Sequence, residues 1–251
     1  MMKVLGLILF LCAFSLGFDA PVALGVNPSG RLNVRGPAGF NSSPARVGEP
    51  AAYIAYFHAE NIEEQAWSSG GEWNWGNLRS AFFCDFHQLD SLYNQLYSEL
   101  DFSFRLEKYL VGIGYGFSME WVPGLAKWSK NRMKGAGAYM EKSWYVSAMV
   151  DGWLSGVDSD WNFLLGGGVE VGKLGAFFAE WDGRNVVLGN SVRWKFLELK
   201  TAYVFPDFGV ALEISLSFGR FTLEPHYSFS SEKIGWFGIG AQKRISKKTI
   251  L

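Results

Sequence analysis

The sequence predicts an all-β protein: a closed, antiparallel, up-and-down transmembrane β-barrel of about 12 strands, within a range of about 10 to 14. Three observations support this prediction. An apolar run at the N-terminus is typical of an exported protein, large and small residues alternate along most of the chain, and aromatic residues gather near the ends of the alternating segments.

The composition excludes several classes of protein. The 251 residues include 30 glycines, 17% are aromatic and only 19% are charged, whereas disordered chains are charged and poor in aromatic residues. Coiled coils and helical bundles are rich in Ala, Glu, Lys and Leu instead. A formal net charge of −1 gives no electrostatic reason to bind nucleic acid.

The first element, residues 1–17, resembles a secretory signal peptide. Lys3 supplies a positive charge, residues 4–14 are apolar, and Ser15-Leu16-Gly17 is a small-x-small cleavage site. The run is shorter than the ~20 residues that a transmembrane helix needs. We therefore expect export, cleavage near Gly17 and residence in the outer membrane of a Gram-negative-type bacterium. Only Cys84 then remains, so no internal disulfide can form.

The next element, residues 18–50, is a segment rich in Pro and Gly that contains five of the eight prolines. Proline cannot donate to a strand ladder, so we expect a coil that lies in the periplasm or plugs the barrel lumen. An untied terminus without a role is the alternative. Residues 51–58 are interpreted as a strand or an ordered plug, and residues 60–76, with Ser68-Ser69-Gly70-Gly71, as a loop at a membrane interface.

The barrel is predicted over residues 51–245, followed by a basic tail at 246–251. In Tyr109–Val122 the odd positions are large and mostly apolar, whereas the even positions between the end residues are Gly, Ser or Glu. Phe208–Ser217 repeats the pattern. The predicted strands are 77–87, 94–106, 109–122, 129–140, 143–155, 161–171, 174–181, 185–193, 197–204, 208–217, 220–229 and 234–244. Tight charged turns alternate with looser connections, as a meander requires.

Aromatic residues near the strand ends are interpreted as the two girdles of a membrane barrel. They are Tyr109, Trp121, Trp144, Trp153, Trp161, Trp181, Trp194, Tyr203, Phe205 and Trp236. The alternative is a water-soluble periplasmic β-barrel that binds an apolar ligand, in which the apolar faces would point inward. The large rings and the small residues opposite them favour the membrane barrel.

If the large residues face lipid, the opposite positions line the lumen. The predicted lumen-lining residues are Glu99, Asp101, Arg105, Glu120, Asp151, Glu170, Glu198, Lys200, Glu213 and Arg220. These charges of both signs either pair to fill the barrel or form a polar conduit or binding cavity. A wide general pore usually needs a larger barrel of ~16 strands or more.

One group of residues could carry chemistry. Glu224, His226 and Ser228 fall on one face of the strand at 220–229, and a histidine beside a serine can activate a hydroxyl nucleophile with a carboxylate orienting the ring. The run Pro225-His226-Tyr227-Ser228 is similar to the His-x-Ser motif of the outer-membrane lipid A deacylases. This resemblance implies a lipid hydrolase as the alternative function.

The signal peptide, Asn27-Pro28 in the Pro/Gly-rich opening and the β-meander together resemble the outer-membrane barrels related to fatty-acid transporters and type IX secretion shuttle proteins. We therefore expect a transport, anchoring or structural role in the envelope without catalysis. The expected partners are outer-membrane lipid and either an apolar small molecule or a secreted protein. We expect no cofactor and no metal, because His58 and His87 are isolated.

Overall fold

The computed structural model describes residues 43–47, 50–59, 64–89, 92–155, 158–172, 174–206, 209–230 and 235–245. These residues form fourteen antiparallel strands in one closed barrel. The strands are β1 (Ala51–Ala59), β2 (Glu64–Trp75), β3 (Leu78–Leu89), β4 (Tyr93–Leu106), β5 (Tyr109–Val122), β6 (Ala126–Met140), β7 (Trp144–Ser155), β8 (Asp158–Val171), β9 (Gly175–Trp181), β10 (Val186–Trp194), β11 (Leu197–Phe205), β12 (Gly209–Phe218), β13 (Phe221–Ser230) and β14 (Gly235–Arg244).

Each strand pairs with its neighbours in the sequence, and β1 pairs with β14 to close the sheet, with Ala51 opposite Arg244 and Ala59 opposite Trp236. The closed, antiparallel, up-and-down barrel is confirmed. Closure leaves no unpaired sheet edge, which is the condition for a β-sheet in hydrocarbon. Within the part of the chain that the structure describes, no helix is long and apolar enough to cross a membrane.

The predicted number of about 12 strands was too low by two. Residues 51–58, left open as a strand or a plug, belong to β1. The interpretation of 60–76 as a loop was wrong, because Glu64–Trp75 is β2 and pairs with both β1 and β3. A Cβ on Gly70 would lie 2.5 Å from the carbonyl oxygen of Phe82 and 2.5 Å from the Tyr53 ring. Glycine is therefore required there by close packing inside a strand.

The two ends of the barrel differ in their connections. At one end, the turn end, connections of two or three residues join the strands, and β1 begins and β14 ends there. Gly219, with φ +65°, occupies the left-handed region in one of these turns, which glycine adopts without strain. The opposite end, the loop end, has connections of two to four residues. The expected alternation of tighter and looser connections is present.

The outer surface is apolar. Large side chains alternate with buried ones along β5, where Val111, Ile113, Tyr115 and Phe117 are exposed and Leu110 is buried. Exposed aromatic residues lie near both ends of the outer face: Trp75, Tyr109, Trp144 and Trp194 at the turn end, and Trp161, Trp181 and Phe205 at the loop end. Such girdles at the two interfaces are typical of transmembrane barrels.

Trp153 is a correction to the predicted girdle. It lies on the inward face of β7, next to Asp151, and packs against Tyr97 with ring centroids 5.6 Å apart. The guanidinium carbon of Arg132 is 5.2 Å from the centroid of the Trp153 ring. Although Trp153 lies near a strand end, its indole ring makes a cation–π contact with Arg132 inside the barrel and does not anchor the barrel at the membrane interface.

Candidate functional site in the barrel interior

The interior of the barrel is polar, whereas the interior of a soluble barrel that carries an apolar ligand is apolar. Most of the buried charged residues of the described chain lie on the inward face of the strands. They are Glu72, Arg79, Asp85, His87, Glu99, Asp101, Glu120, Arg132, Lys134, Asp151, Glu180, Lys200, Glu213, Glu224 and His226. Eight of them belong to two main groups on different parts of the wall.

The first group, the Arg132 cluster, comprises Tyr97, Glu99, Arg132, Lys134 and Asp151. Nε of Arg132 donates to Oδ1 of Asp151 at 2.7 Å and Nη2 donates to Oδ2 at 2.5 Å, which is a bidentate pair. Nζ of Lys134 donates to Oε1 of Glu99 at 2.5 Å, and the Tyr97 hydroxyl donates to the same carboxylate. All five side chains are almost completely buried.

Glycines on β5 make this cluster possible. Glu99 and Arg132 lie on β4 and β6, and both stand opposite Gly116 in the register of the sheet. A Cβ on Gly116 would lie 2.4 Å from the Tyr97 hydroxyl, and a Cβ on Gly114 would lie 2.2 Å from Oδ1 of Asp101. Because β5 carries no side chain there, residues of β4 and β6 reach one another across it.

The second group, the Lys200 cluster, comprises Lys200, Glu213, Ser215, Glu224 and His226 on β11, β12 and β13. Nζ of Lys200 donates to Oε1 of Glu213 at 2.5 Å. The Ser215 hydroxyl lies 3.3 Å from Oε1 of Glu213 and 3.1 Å from Oε1 of Glu224. One cation therefore faces two buried carboxylates.

Residues 43–47 lie inside the barrel near its turn end. Ala45 is fully buried and packs against the inward-facing side chains of Leu110, Met140 and Tyr145. The Ser103 hydroxyl donates to the carbonyl oxygen of Arg46 at 3.2 Å. This short segment therefore occupies part of the lumen next to β4–β7. The predicted signal peptide at 1–17, the basic tail at 246–251 and most of 18–50 lie outside the described residues.

A polar cavity of about 400 Å³ lies at the loop end, next to the Arg132 cluster. It is lined by Gln95, Glu120, Lys130, Trp153, Ser155, Ser159 and Asp160. Nζ of Lys130 lies 3.3 Å from Oε1 of Glu120, and the indole N–H of Trp128 donates to Oε2 of the same carboxylate at 2.6 Å. The cavity thus offers charged and amide groups to a solute that enters from this end.

The sequence-predicted lumen residues lie in two settings. Glu99, Asp101, Glu120, Asp151, Lys200 and Glu213 are buried inside the barrel. Arg105 and Arg220 are exposed at the turn end, Glu170 is half-buried there, and Glu198 pairs with the exposed Arg193 at 2.8 Å. This second set lines the rim and not the interior.

Several buried partners were missed by the sequence reasoning. Arg132 and Lys134 follow a stretch, residues 129–131, in which polar residues occupy both strand faces, so alternation could not assign them to the interior. Arg79 pairs with Glu72 of β2, a strand that the sequence analysis did not predict, and Nε of Arg79 donates to Oε2 of Glu72 at 2.8 Å. The basic residues that cluster on β6, Lys127, Lys130, Arg132 and Lys134, are a feature of the sequence that could have indicated these interior partners.

The turn end carries an exposed ion pair outside the membrane-spanning segments. Nζ of Lys108 donates to Oε1 of Glu141 at 2.6 Å, linking the turn after β4 to the connection between β6 and β7. This hydrogen bond holds the pKa of the Glu141 carboxyl below its ordinary value.

Glu224, His226 and Ser228 share the inward face of β13 but form no catalytic arrangement. Among the described residues, neither ring nitrogen of His226 has a hydrogen-bond partner, and the Ser228 hydroxyl has none either. His226 and Ser228 therefore do not hydrogen-bond to each other, so the ring is not placed to activate the hydroxyl. All three side chains are also buried inside the barrel, away from the lipid that a lipid hydrolase must reach.

His58 lies on the outward face of β1 and His87 on the inward face of β3, where Nε2 of His87 is 2.5 Å from Oε1 of Glu64. Among the described residues no group of three or more His, Cys, Asp or Glu side chains has the geometry to hold a metal ion.

The fold is similar to that of outer-membrane proteins of known structure. The Acinetobacter baumannii outer membrane protein Omp33 has a TM-score of 0.56 and 7% identity, over 78% of this chain and 98% of that chain. A deltaS2 mutant of TodX, a monoaromatic hydrocarbon channel, has a TM-score of 0.56 and 9% identity, over 82% of this chain and 93% of that chain. The sequence matches no family model and no curated protein. At such identities the similarity establishes the shared barrel fold.

Proposed function

We propose that this protein is an outer-membrane barrel that lets small polar solutes pass, with residues 43–47 narrowing its turn end. The observation that carries the proposal is the distribution of side chains: an apolar outer band with two aromatic girdles surrounds an interior of buried charges. An apolar outer surface requires lipid around it, and the signal peptide predicted at 1–17 would deliver the chain to the envelope.

The transport role is supported by the barrel size and by the shared fold. Fourteen strands lie between the 8-stranded barrels that side chains can fill and the 16–18-stranded porins with an aqueous channel. TodX, which shares the fold, is a channel. The charged interior and the polar cavity at the loop end favour hydrophilic solutes over the apolar molecule that the resemblance to fatty-acid transporters implies.

A structural or anchoring role is the second candidate, favoured by the dense ion pairing of the Arg132 cluster. A catalytic role is not supported by the geometry of His226 and Ser228. The surrounding lipid is the proposed partner of the outer surface, and a secreted protein as cargo stays a prediction.

Gly112→Val tests the role of residues 43–47. A Cβ at position 112 would lie 2.4 Å from the carbonyl carbon of Pro44 and 2.5 Å from the backbone nitrogen of Ala45, so this segment must move. We expect purified wild-type protein to give small unitary conductances in planar bilayers, and the variant to give larger ones because the turn end is wider.

Gly135→Val is the matched control. Gly135 lies on the outward face of β6 and a Cβ there meets nothing within 4 Å, so the conductance should equal that of the wild type. If both variants conduct like the wild type, residues 43–47 do not limit passage. If neither the wild type nor the variants conduct, the transport proposal is wrong and the structural role is favoured.

A further inference from the structure

The Lys200 cluster contains buried polar atoms that its own contacts leave unused. Oε2 of Glu213, Oε2 of Glu224, both ring nitrogens of His226 and the Ser228 hydroxyl have no hydrogen-bond partner in the described structure. Each of these four side chains belongs to a residue that is at most 4% exposed. A buried polar group without a partner costs free energy, so such a group normally binds something.

These atoms lie on one patch of the wall. Glu213 of β12 stands directly opposite His226 of β13 in the register, and Ala211 stands opposite Ser228. The Ser215 hydroxyl, within 3.3 Å of both Glu213 Oε1 and Glu224 Oε1, holds the two carboxylates close together.

The charge of the patch indicates what it would bind. Nζ of Lys200 contacts Oε1 of Glu213, whereas the carboxyl group of Glu224 has Ser215 and no cation as its hydrogen-bond partner. The two unused oxygens are acceptors only, which favours an occupant that is positively charged and donates hydrogen bonds. The described residues offer no geometry for a metal ion here.

We propose that Glu213, Glu224, His226 and Ser228 form a binding site for a primary ammonium group, so that the barrel selects small protonated amines. The ammonium donates one hydrogen bond to each free carboxylate oxygen and the third to the imidazole of His226, which stands opposite Glu213, while Ser228 lies farther along the same face of β13. This assignment rests on the proposed transport function for its biological meaning, but binding itself does not require conduction.

Glu224→Gln tests the site with little disturbance, because Gln has nearly the same shape and its side-chain oxygen can still accept from Ser215. The purified barrel in detergent micelles is titrated with methylammonium chloride and binding is followed by calorimetry. We expect the wild type to bind methylammonium and the variant to bind at least about tenfold more weakly. Tetramethylammonium, which carries the same charge without N–H donors, should bind neither protein.

Glu170→Gln is the control variant, since Glu170 is a half-buried acidic residue on the inward face of β8 at the turn end, outside the cluster. It should bind methylammonium like the wild type. The site would be refuted if the wild type and Glu224→Gln bound methylammonium with equal affinity, or if the wild type bound methylammonium and tetramethylammonium equally well. Buried water or a proton shared by the two carboxyl groups would then occupy the cluster instead.

In planar bilayers, the ratio of methylammonium to tetramethylammonium permeability should fall in Glu224→Gln and stay unchanged in Glu170→Gln. If both variants conduct and keep the wild-type permeability ratio, the selective site is refuted and the transport proposal stands. Binding without any conductance would refute the transport proposal and leave the site standing.

Discussion

Replacing Arg132 by Met is expected to destabilise the barrel by about 3–5 kcal/mol, the usual cost of removing one partner from a buried ion pair. Arg132 holds both oxygens of Asp151 and lies 3.8 Å from Oε2 of Glu99, and its side chain is 2% exposed. Without it, Asp151 keeps a negative charge inside the barrel without its cation. The free energy of unfolding is measured by urea titration in lipid vesicles, followed by tryptophan fluorescence.

Lys130→Met is the matched control, because Lys130 occupies the preceding inward position on the same strand. Its ion pair with Glu120 is 3.3 Å long and its side chain is 40% exposed, so its loss should cost less than about 1 kcal/mol. The double variant Arg132→Met, Asp151→Leu should recover part of the stability, since it removes both charges. A cost for Arg132→Met as small as that of the control would show that the cluster does not hold the wall together.

The second large effect is expected on the outer surface. Ile113 is 62% exposed near the middle of the apolar band of β5. Arginine on the lipid face near the bilayer midplane costs about 2–4 kcal/mol, so Ile113→Arg should lower the unfolding free energy by that amount and reduce insertion into vesicles. In a water-soluble particle the same change at an exposed position would shift stability by less than about 0.5 kcal/mol.

Leu125→Arg is the control for depth. Leu125 is 85% exposed but lies in the turn between β5 and β6, at the loop end of the barrel. A charge near the interface costs only about 0–1 kcal/mol. Equal effects at positions 113 and 125 would contradict a bilayer around the middle of the barrel.

Regular alternation made most of the barrel predictable from the sequence. In residues 111–121 each large apolar residue marks the outward face and each glycine the inward one, so strand, facing and neighbours follow from period two alone. In β2, Ser68-Ser69-Gly70-Gly71 carries no such contrast. Its glycine at position 70 is explained by the Tyr53 ring of β1 and the carbonyl oxygen of Phe82 on β3, contacts that appear only once the strands are paired.

The candidate site was predictable in part for a similar reason. Glu99, Asp151 and Glu213 could be assigned to the interior because their strands alternate clearly. Arg132 could not, because Ser129, Lys130 and Asn131 place polar residues on both faces just before it. The packing of residues 43–47 against Ser103 joins positions 57 residues apart and leaves no periodic trace in the sequence.

In the membrane-embedded barrel, bulky side chains face hydrocarbon while charged and small ones face the interior. Single cysteines at positions 113 and 155, introduced after both native cysteines are replaced by alanine, carry a spin label in vesicle-inserted protein. The label at 113 should collide with oxygen and be shielded from a water-soluble nickel chelate, whereas the label at 155, on the polar cavity, should show the reverse. Contact of the nickel chelate with the label at 113, equal to that at 155, would contradict the account.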